Sequence, residues 1–278
     1  MKAFVKTMLA FVVTALFAAG CARETEKAEA GTAPAAQEAP AAAETASAVL
    51  SQPGVCLTFD DRNFPDWEAA LPLFEKYNAR VTFFVYGPIG EEEAARLKAI
   101  AAKGHAIGSH SLKHGVYYKL KQDGMTAKEF AETDALAQLD SFRKYGIDVT
   151  CYGCPNSSRD AELDELLKPH FRHVRTGIFP REGQRLCDMD NAFVPIDQVA
   201  QHFVLNGKGI DKYPENTDEM IDLAMERAAQ RNELLVFYAH RITAEEINGN
   251  HVEPASLERL LKKGTEMGLR FYSFDELP

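Results

Sequence analysis

The sequence is short of positive charge and of long apolar runs. Its 31 Lys and Arg face 41 Asp and Glu, a net charge of −10. That balance disfavours a nucleic-acid partner, which selects basic patches, but it excludes no neutral substrate such as a sugar. The apolar run Met8–Ala19 is broken only by Thr14 and is too short for a comfortable membrane span. No G-x-G-x-x-G or Walker loop follows the first strand-like segment, so a nucleotide site is not expected. What remains is ordinary: 278 residues, 46% hydrophobic, 10% aromatic and 26% charged. Such a composition excludes extensive disorder, a coiled coil, a collagen and a polytopic membrane protein. One folded domain, monomeric, is the expectation for this length.

The first residues read as an address. Met1–Lys6 carries two lysines, the apolar run follows, and Ala18-Ala19-Gly20-Cys21 ends it. A basic start, a short apolar core and small residues describe a secretory signal over 1–20. The cysteine after Gly20 makes the segment resemble a bacterial lipobox, with Cys21 acylated and anchoring the chain to a membrane. This places the protein in the cell envelope, facing the periplasm or the cell exterior. Residues 21–50 follow as a tether: of the 29 residues after Cys21, twelve are Ala, five Glu and two Pro, and none is aromatic. Too little apolar surface is present there to offset ordering entropy. The folded domain is expected over 51–278.

From Val55 the chain alternates strands and helices. Val55–Phe59, Val81–Val85, Ala106–Ser109, Val149–Tyr152, Val174–Gly177 and Leu234–Ala239 read as strands, and Arg270–Ser273 closes the series. Between them Trp67–Tyr77, Glu91–Lys103, a long Ala127–Tyr145, Thr217–Gln230 and Pro254–Met267 have helical spacing. Repeated alternation of this kind implies a parallel sheet with helices outside, and seven or so strands favour a closed α/β barrel.

In such barrels the chemistry gathers at the C-terminal strand ends. The first strand ends in Asp60-Asp61, two carboxylates that face different ways and suit different tasks. The third runs into His110-Ser111-Leu112-Lys113-His114, whose histidines at i and i+4 would share one face of a helical turn. Leu234–Ala239 delivers His240. Singly each is weak evidence; together they form an N/O donor set for a divalent ion such as Zn²⁺.

At these residues the chain resembles the polysaccharide deacetylases, the NodB-homology carbohydrate esterases. Thr58-Phe59-Asp60-Asp61, Thr82-Phe83-Phe84-Val85, His110-Ser111-Leu112-Lys113-His114, His240 and the closing Gly268–Leu277 follow that family's order across 51–278. The resemblance implies a distorted (β/α)₇ barrel and metal-dependent removal of N-acetyl groups from an N-acetylglucosamine-containing carbohydrate polymer. It implies Asp61, His110 and His114 as metal ligands, Asp60 as general base and His240 as the acid that protonates the leaving amine.

The chain also departs from the pattern. Gly153 stands where the family's third motif has an Arg, two residues before Pro155. The backbone N–H of Asn156 remains available for an oxyanion, and Arg175 is a candidate replacement for the missing Arg. No clear counterpart of the fourth-motif Asp and Trp is visible, with Asp188, Asp190 and Asp197 all in the region. Tyr238 stands where a Leu is usual. Cys56, Cys151, Cys154 and Cys187 are read as a structural disulfide or as free thiols. Two alternatives stay open: a non-catalytic glycan-binding lipoprotein with a degenerate site, and a hydrolase of a non-sugar amide.

Overall fold

Strand β1 (Gly54–Asp61) is buried along its whole length except at Asp61, and its alternation organises the molecule. Val55, Leu57 and Phe59 pack outward against helices, whereas Cys56 joins an interior cluster with Phe84, Cys151, Leu205 and Val236. Because strand side chains alternate between faces, Thr58 and Asp60 point inward with Cys56. The computed structural model describes residues 49–278 apart from 246, 248 and 249. The signal segment, Cys21 and nearly all of the expected tether therefore lie outside the described residues. Leu50, expected at the tether's end, is buried against the interior cluster.

The remaining barrel strands are β2 (Thr82–Val85), β3 (Ala106–Ser109), β4 (Cys151–Gly153), β5 (His173–Gly177), β7 (Val204–Gly209) and β8 (Glu233–Ala239). They pair in parallel in the order β1-β2-β3-β4-β5-β7-β8, and β8 returns to β1 to close a seven-stranded barrel. The short β6 (Phe193–Pro195) runs antiparallel to the start of β8. A small pair, β9 (Arg241–Ile242) and β10 (His251–Val252), follows β8. Finally β11 (Arg270–Tyr272) pairs with Gly54–Cys56 at the bottom of β1.

The barrel is thus the expected one, with one stave exchanged. The segment around Arg270 lies at the foot of the barrel, and the missing stave is Val204-Leu205-Asn206-Gly207-Lys208-Gly209. Two glycines, an asparagine and a lysine give that stretch little β-propensity. It is a strand because tertiary pairing on both sides makes it one.

The helices cover the barrel: α1 (Phe64–Lys76), α2 (Glu91–Ala101), α3 (Tyr117–Gln122), α4 (Ala127–Phe130), α5 (Ala137–Arg143), α6 (Ala161–Leu167), α7 (Asp218–Arg231) and α8 (Pro254–Glu266). The long helix expected over Ala127–Tyr145 is interrupted by a π turn, Ala131–Ala135, where Leu136 N–H bonds to Ala131 C=O at 2.8 Å. Under α1 an aromatic group comprising Phe59, Trp67, Phe74 and Phe83 has ring centroids 4.9–6.4 Å apart, distances at which aromatic pairs attract. Phe83 touches the other three, so Phe83→Ala should lower unfolding free energy by about 3–5 kcal/mol in denaturant titration. A loss below about 1 kcal/mol would show that the group is not the packing centre.

Candidate active site

Two strand ends bring three donors together. Asp61 ends β1 with a left-handed backbone (φ 85°), which turns its carboxylate away from that of inward-facing Asp60. His110 follows β3 and is buried; its Nδ1 lies 2.7 Å from the Gly153 carbonyl oxygen. With Nδ1–H donating there, Nε2 is left as the free lone pair. His114 Nε2 lies 3.4 Å, and His110 Nε2 4.0 Å, from Asp61 Oδ1. One ligand atom from each of the three falls within 4.8 Å of the others.

No helical turn joins the histidines. Residues 110–114 form a loop in which Ser111 (φ 70°) and His114 (φ 55°) are left-handed. The two histidines meet through this loop and not through the i, i+4 spacing of a helix.

Electrostatics suit these groups to a cation. Burial, aided by Arg175 and His114, pushes the His110 value down to about 4 against the pull of Asp60 and Asp61. The imidazole is therefore neutral and able to ligate at neutral pH. Burial alone would raise Asp61, but the hydrogen bond from His114 and the fields of His110 and His240 hold it below the usual carboxylate range. The donor set fits a divalent ion.

Asp60 has a different partner. Arg175, on β5, is 1% exposed, and its Nη2 donates to both carboxylate oxygens of Asp60. The guanidinium carbon lies 5.3 Å from the Phe84 ring centre and 4.8 Å from that of Tyr238. Glycines make the room. A Cβ on Gly153 would stand 2.9 Å from Phe84 and 3.0 Å from Arg175 Nη2, and one on Gly207 would stand 3.3 Å from Arg175 Cδ. Position 153 on β4 is a glycine, and the cation that meets Asp60 comes from the neighbouring strand β5.

His240, after β8, is held by a residue not singled out in the sequence. Asp211 is 3% exposed; one oxygen accepts from His240 N–H at 3.1 Å, and the other lies 2.7 Å from Nδ1. Trp67 Nε1 donates to the His240 carbonyl at 2.9 Å. Asp188 pairs with Arg185, Asp190 pairs with Arg227, and Asp197 is exposed, so none of the three sequence candidates serves the site. Asp211 was overlooked because it follows the unrecognised strand β7; the signal that could have found it is the acidic residue just beyond that strand's C-terminal end.

A cavity of about 300 Å³ unites these groups. Asp60, Asp61, His110, His114, Asn156, Arg175, Tyr238 and His240 all line it. Pro155 is buried beneath, opening the short turn that sets Asn156 (φ 50°) and Ser157 (φ 55°) in the wall. Cys154 also reaches the wall as a free thiol, and burial pushes its value up to about 12. Cys56, Cys151 and Cys187 are free as well, so the disulfide alternative does not hold.

Burial works against charge on His240, but Asp211, Asp60 and Asp61 outweigh it and raise the imidazole from 6.5 to about 9. The folded value exceeds the ordinary one. This pair therefore stabilises the fold in full below pH 6.5 and ceases to do so as pH rises through about 9. NMR titration of metal-free protein should find His240 charged at neutral pH, with Asp211→Asn returning it toward 6.5. Titration below about 7 in the unaltered protein would contradict the pairing.

Comparison with known proteins agrees with the geometry. Residues 48–170 match the polysaccharide deacetylase family. Two proteins of Bacillus cereus, each named peptidoglycan-N-acetylglucosamine deacetylase, are 38% identical over 72 residues and 32% identical over 85. These alignments cover 25% and 28% of this chain, and only 26% and 39% of those relatives. Among solved structures, the peptidoglycan deacetylase PdaC of Bacillus subtilis superposes with a TM-score of 0.52 at 18% identity, over 81% of this chain and 90% of that one. BA3943 of Bacillus anthracis, described as a CE4 family pseudoenzyme, superposes with a TM-score of 0.52 at 14% identity, over 82% and 66%. At such identities the superpositions speak for the shared fold alone. The segment 48–170 is thus similar to the polysaccharide deacetylase family, and the strands within it close into this barrel.

Proposed function

We propose that the protein is a metal-dependent hydrolase that removes N-acetyl groups from an N-acetylglucosamine-containing polysaccharide. The observation that carries this reading is the split between neighbouring carboxylates: Asp61 lies with His110 and His114, and Asp60 is held by Arg175. One group serves a cation and the other is kept for proton transfer.

A divalent ion held by Asp61, His110 and His114, with Zn²⁺ the natural choice for an N₂O set, would polarise the acetamide carbonyl and acidify a water. Asp60, oriented by Arg175, is the group that would accept a proton from an attacking water. His240, charged at neutral pH, gives a proton to the amine nitrogen as the C–N bond breaks. The Asn156 N–H is the donor proposed for the developing oxyanion. Phe179, 67% exposed, stands at the cavity rim and offers a ring face to a sugar. The names of the two Bacillus cereus relatives make peptidoglycan the first polymer to assay. Acylated Cys21 would hold the domain at the envelope, within reach of such a polymer.

The test is acetate release from acetylated chitin oligomers, β-1,6-linked glucosamine oligomers and peptidoglycan, with and without Zn²⁺. Asp60→Asn should bind metal normally and lose roughly 10²–10⁴ in rate. Asp61→Asn should lose metal affinity first, with activity partly restored by excess metal. Near-normal turnover by Asp60→Asn would remove Asp60 from the role of base. Absence of acetate from every acetylated glycan would defeat the reading. Separately, Cys21→Ser should abolish palmitate labelling, and labelling that persists would exclude acylation at that cysteine.

A further inference from the structure

The helix interrupted by the π turn carries a polar face where a core-facing helix ordinarily presents apolar groups. Asp134 is 2% exposed and Gln138 fully buried. They stand four residues apart, with Ser141 three further on, at the spacing of one helical face. Each holds backbone at the top of β2 or β3.

Asp134 grips the loop that carries His114. Its Oδ1 accepts from Lys113 N–H at 2.5 Å and its Oδ2 from Gly115 N–H at 2.9 Å, and its main-chain oxygen accepts from Leu112 N–H at 3.1 Å. Approach is so close that a Cβ on Gly115 would stand 2.3 Å from Oδ2. Gln138 grips the strand end that carries His110. Its Oε1 accepts from Ser109 Oγ at 2.6 Å and from His110 N–H at 3.2 Å; its Nε2 donates to the carbonyls of Val85 at 2.6 Å and Gly87 at 3.0 Å. Both donors and both acceptor positions of the amide are in use. Ser141 Oγ accepts from Ile89 N–H at 2.6 Å.

The loop between the histidines needs such support. Ser111 and His114 both occupy the left-handed region, which side chains other than glycine adopt sparingly. Within the loop, His114 N–H donates to Ser111 Oγ at 2.9 Å. Ser111 N–H donates to Ser109 Oγ at 3.4 Å, the side-chain bonds to the Lys113 and Gly115 amides come from Asp134, and the main-chain bond to Leu112 comes from Asp134 as well.

We infer that Asp134 and Gln138 are positioning residues for the two metal-ligating histidines, acting through backbone amides and setting the affinity of the site for its ion. This rests on the metal reading above and adds residues that touch neither ion nor substrate. The chemistry of the pair explains why near-isosteres would fail. Asn at 134 would turn an N–H donor toward one of two N–H donors, and Glu at 138 would lose both bonds to the carbonyls of Val85 and Gly87.

The experiment measures Zn²⁺ affinity of the full chain by competition with a chromophoric chelator, together with melting temperature. Asp134→Asn and Gln138→Glu should bind Zn²⁺ about 10–100-fold more weakly while remaining folded. Asp140→Asn, exposed on the same helix, should leave affinity unchanged. A purely structural role would lower the melting temperature and leave the affinity of folded protein as it was. Should Asp134→Asn fail to fold, Gly115→Ala displaces the carboxylate more gently and should also weaken binding. Folded Asp134 and Gln138 variants that bind within about threefold of the unaltered protein would overturn the inference while sparing the metal site. An unaltered chain that binds no Zn²⁺ would overturn both.

Discussion

The ion pair between Arg175 and Asp60 inside the barrel governs the architecture of the site. Removing two charges from water costs several kcal/mol for each ion, and only close geometry offsets it. Here one guanidinium nitrogen serves both carboxylate oxygens, and the rings of Phe84 and Tyr238 flank the cation. Such a pair dictates its neighbours. A Cβ at Gly153 would crowd Phe84 as well as Arg175, and one at Gly207 would crowd Val236 as well as Arg175. Tyr238, in place of the family's usual Leu, supplies a ring face for the same cation.

With Asp60 committed to Arg175, the second carboxylate is free for the histidines. A left-handed residue at Asp61 achieves the separation, directing adjacent side chains to different partners within one cavity. Across that cavity Asp211 fixes both the main chain and the ring of His240 and keeps the ring charged. One cavity therefore holds a buried histidine that is neutral and a histidine that is cationic. Opposite proton roles follow because burial outweighs Asp60 and Asp61 at His110, whereas at His240 the directly bonded Asp211, with Asp60 and Asp61, outweighs burial.

These groups are held from outside the barrel as well as from within. Trp67 on α1 ties down the His240 carbonyl, and Asp134 and Gln138 tie down the backbone of the His110–His114 segment. Polar side chains on covering helices thus meet strand-end amides that no further strand can satisfy. Leaving such buried groups unpaired would cost about 1–3 kcal/mol each.

The sequence by itself determined much: an alternating α/β chain, six of the seven barrel strands, the Asp60-Asp61, His110, His114 and His240 constellation, and a missing arginine at position 153. These were legible because each lies in a local pattern, a β-branched or aromatic run ending in a polar group. Tertiary structure alone decided the rest. Strand β7 exists through pairing on both edges despite its glycines, so Asp211 behind it had no local signature. Arg175 could be named as a substitute, but only closure of the barrel brings β5 opposite β1 and shows the ion pair. The i, i+4 histidines meet through a left-handed loop held by Asp134, because bonds to a helix remote in sequence set the backbone there.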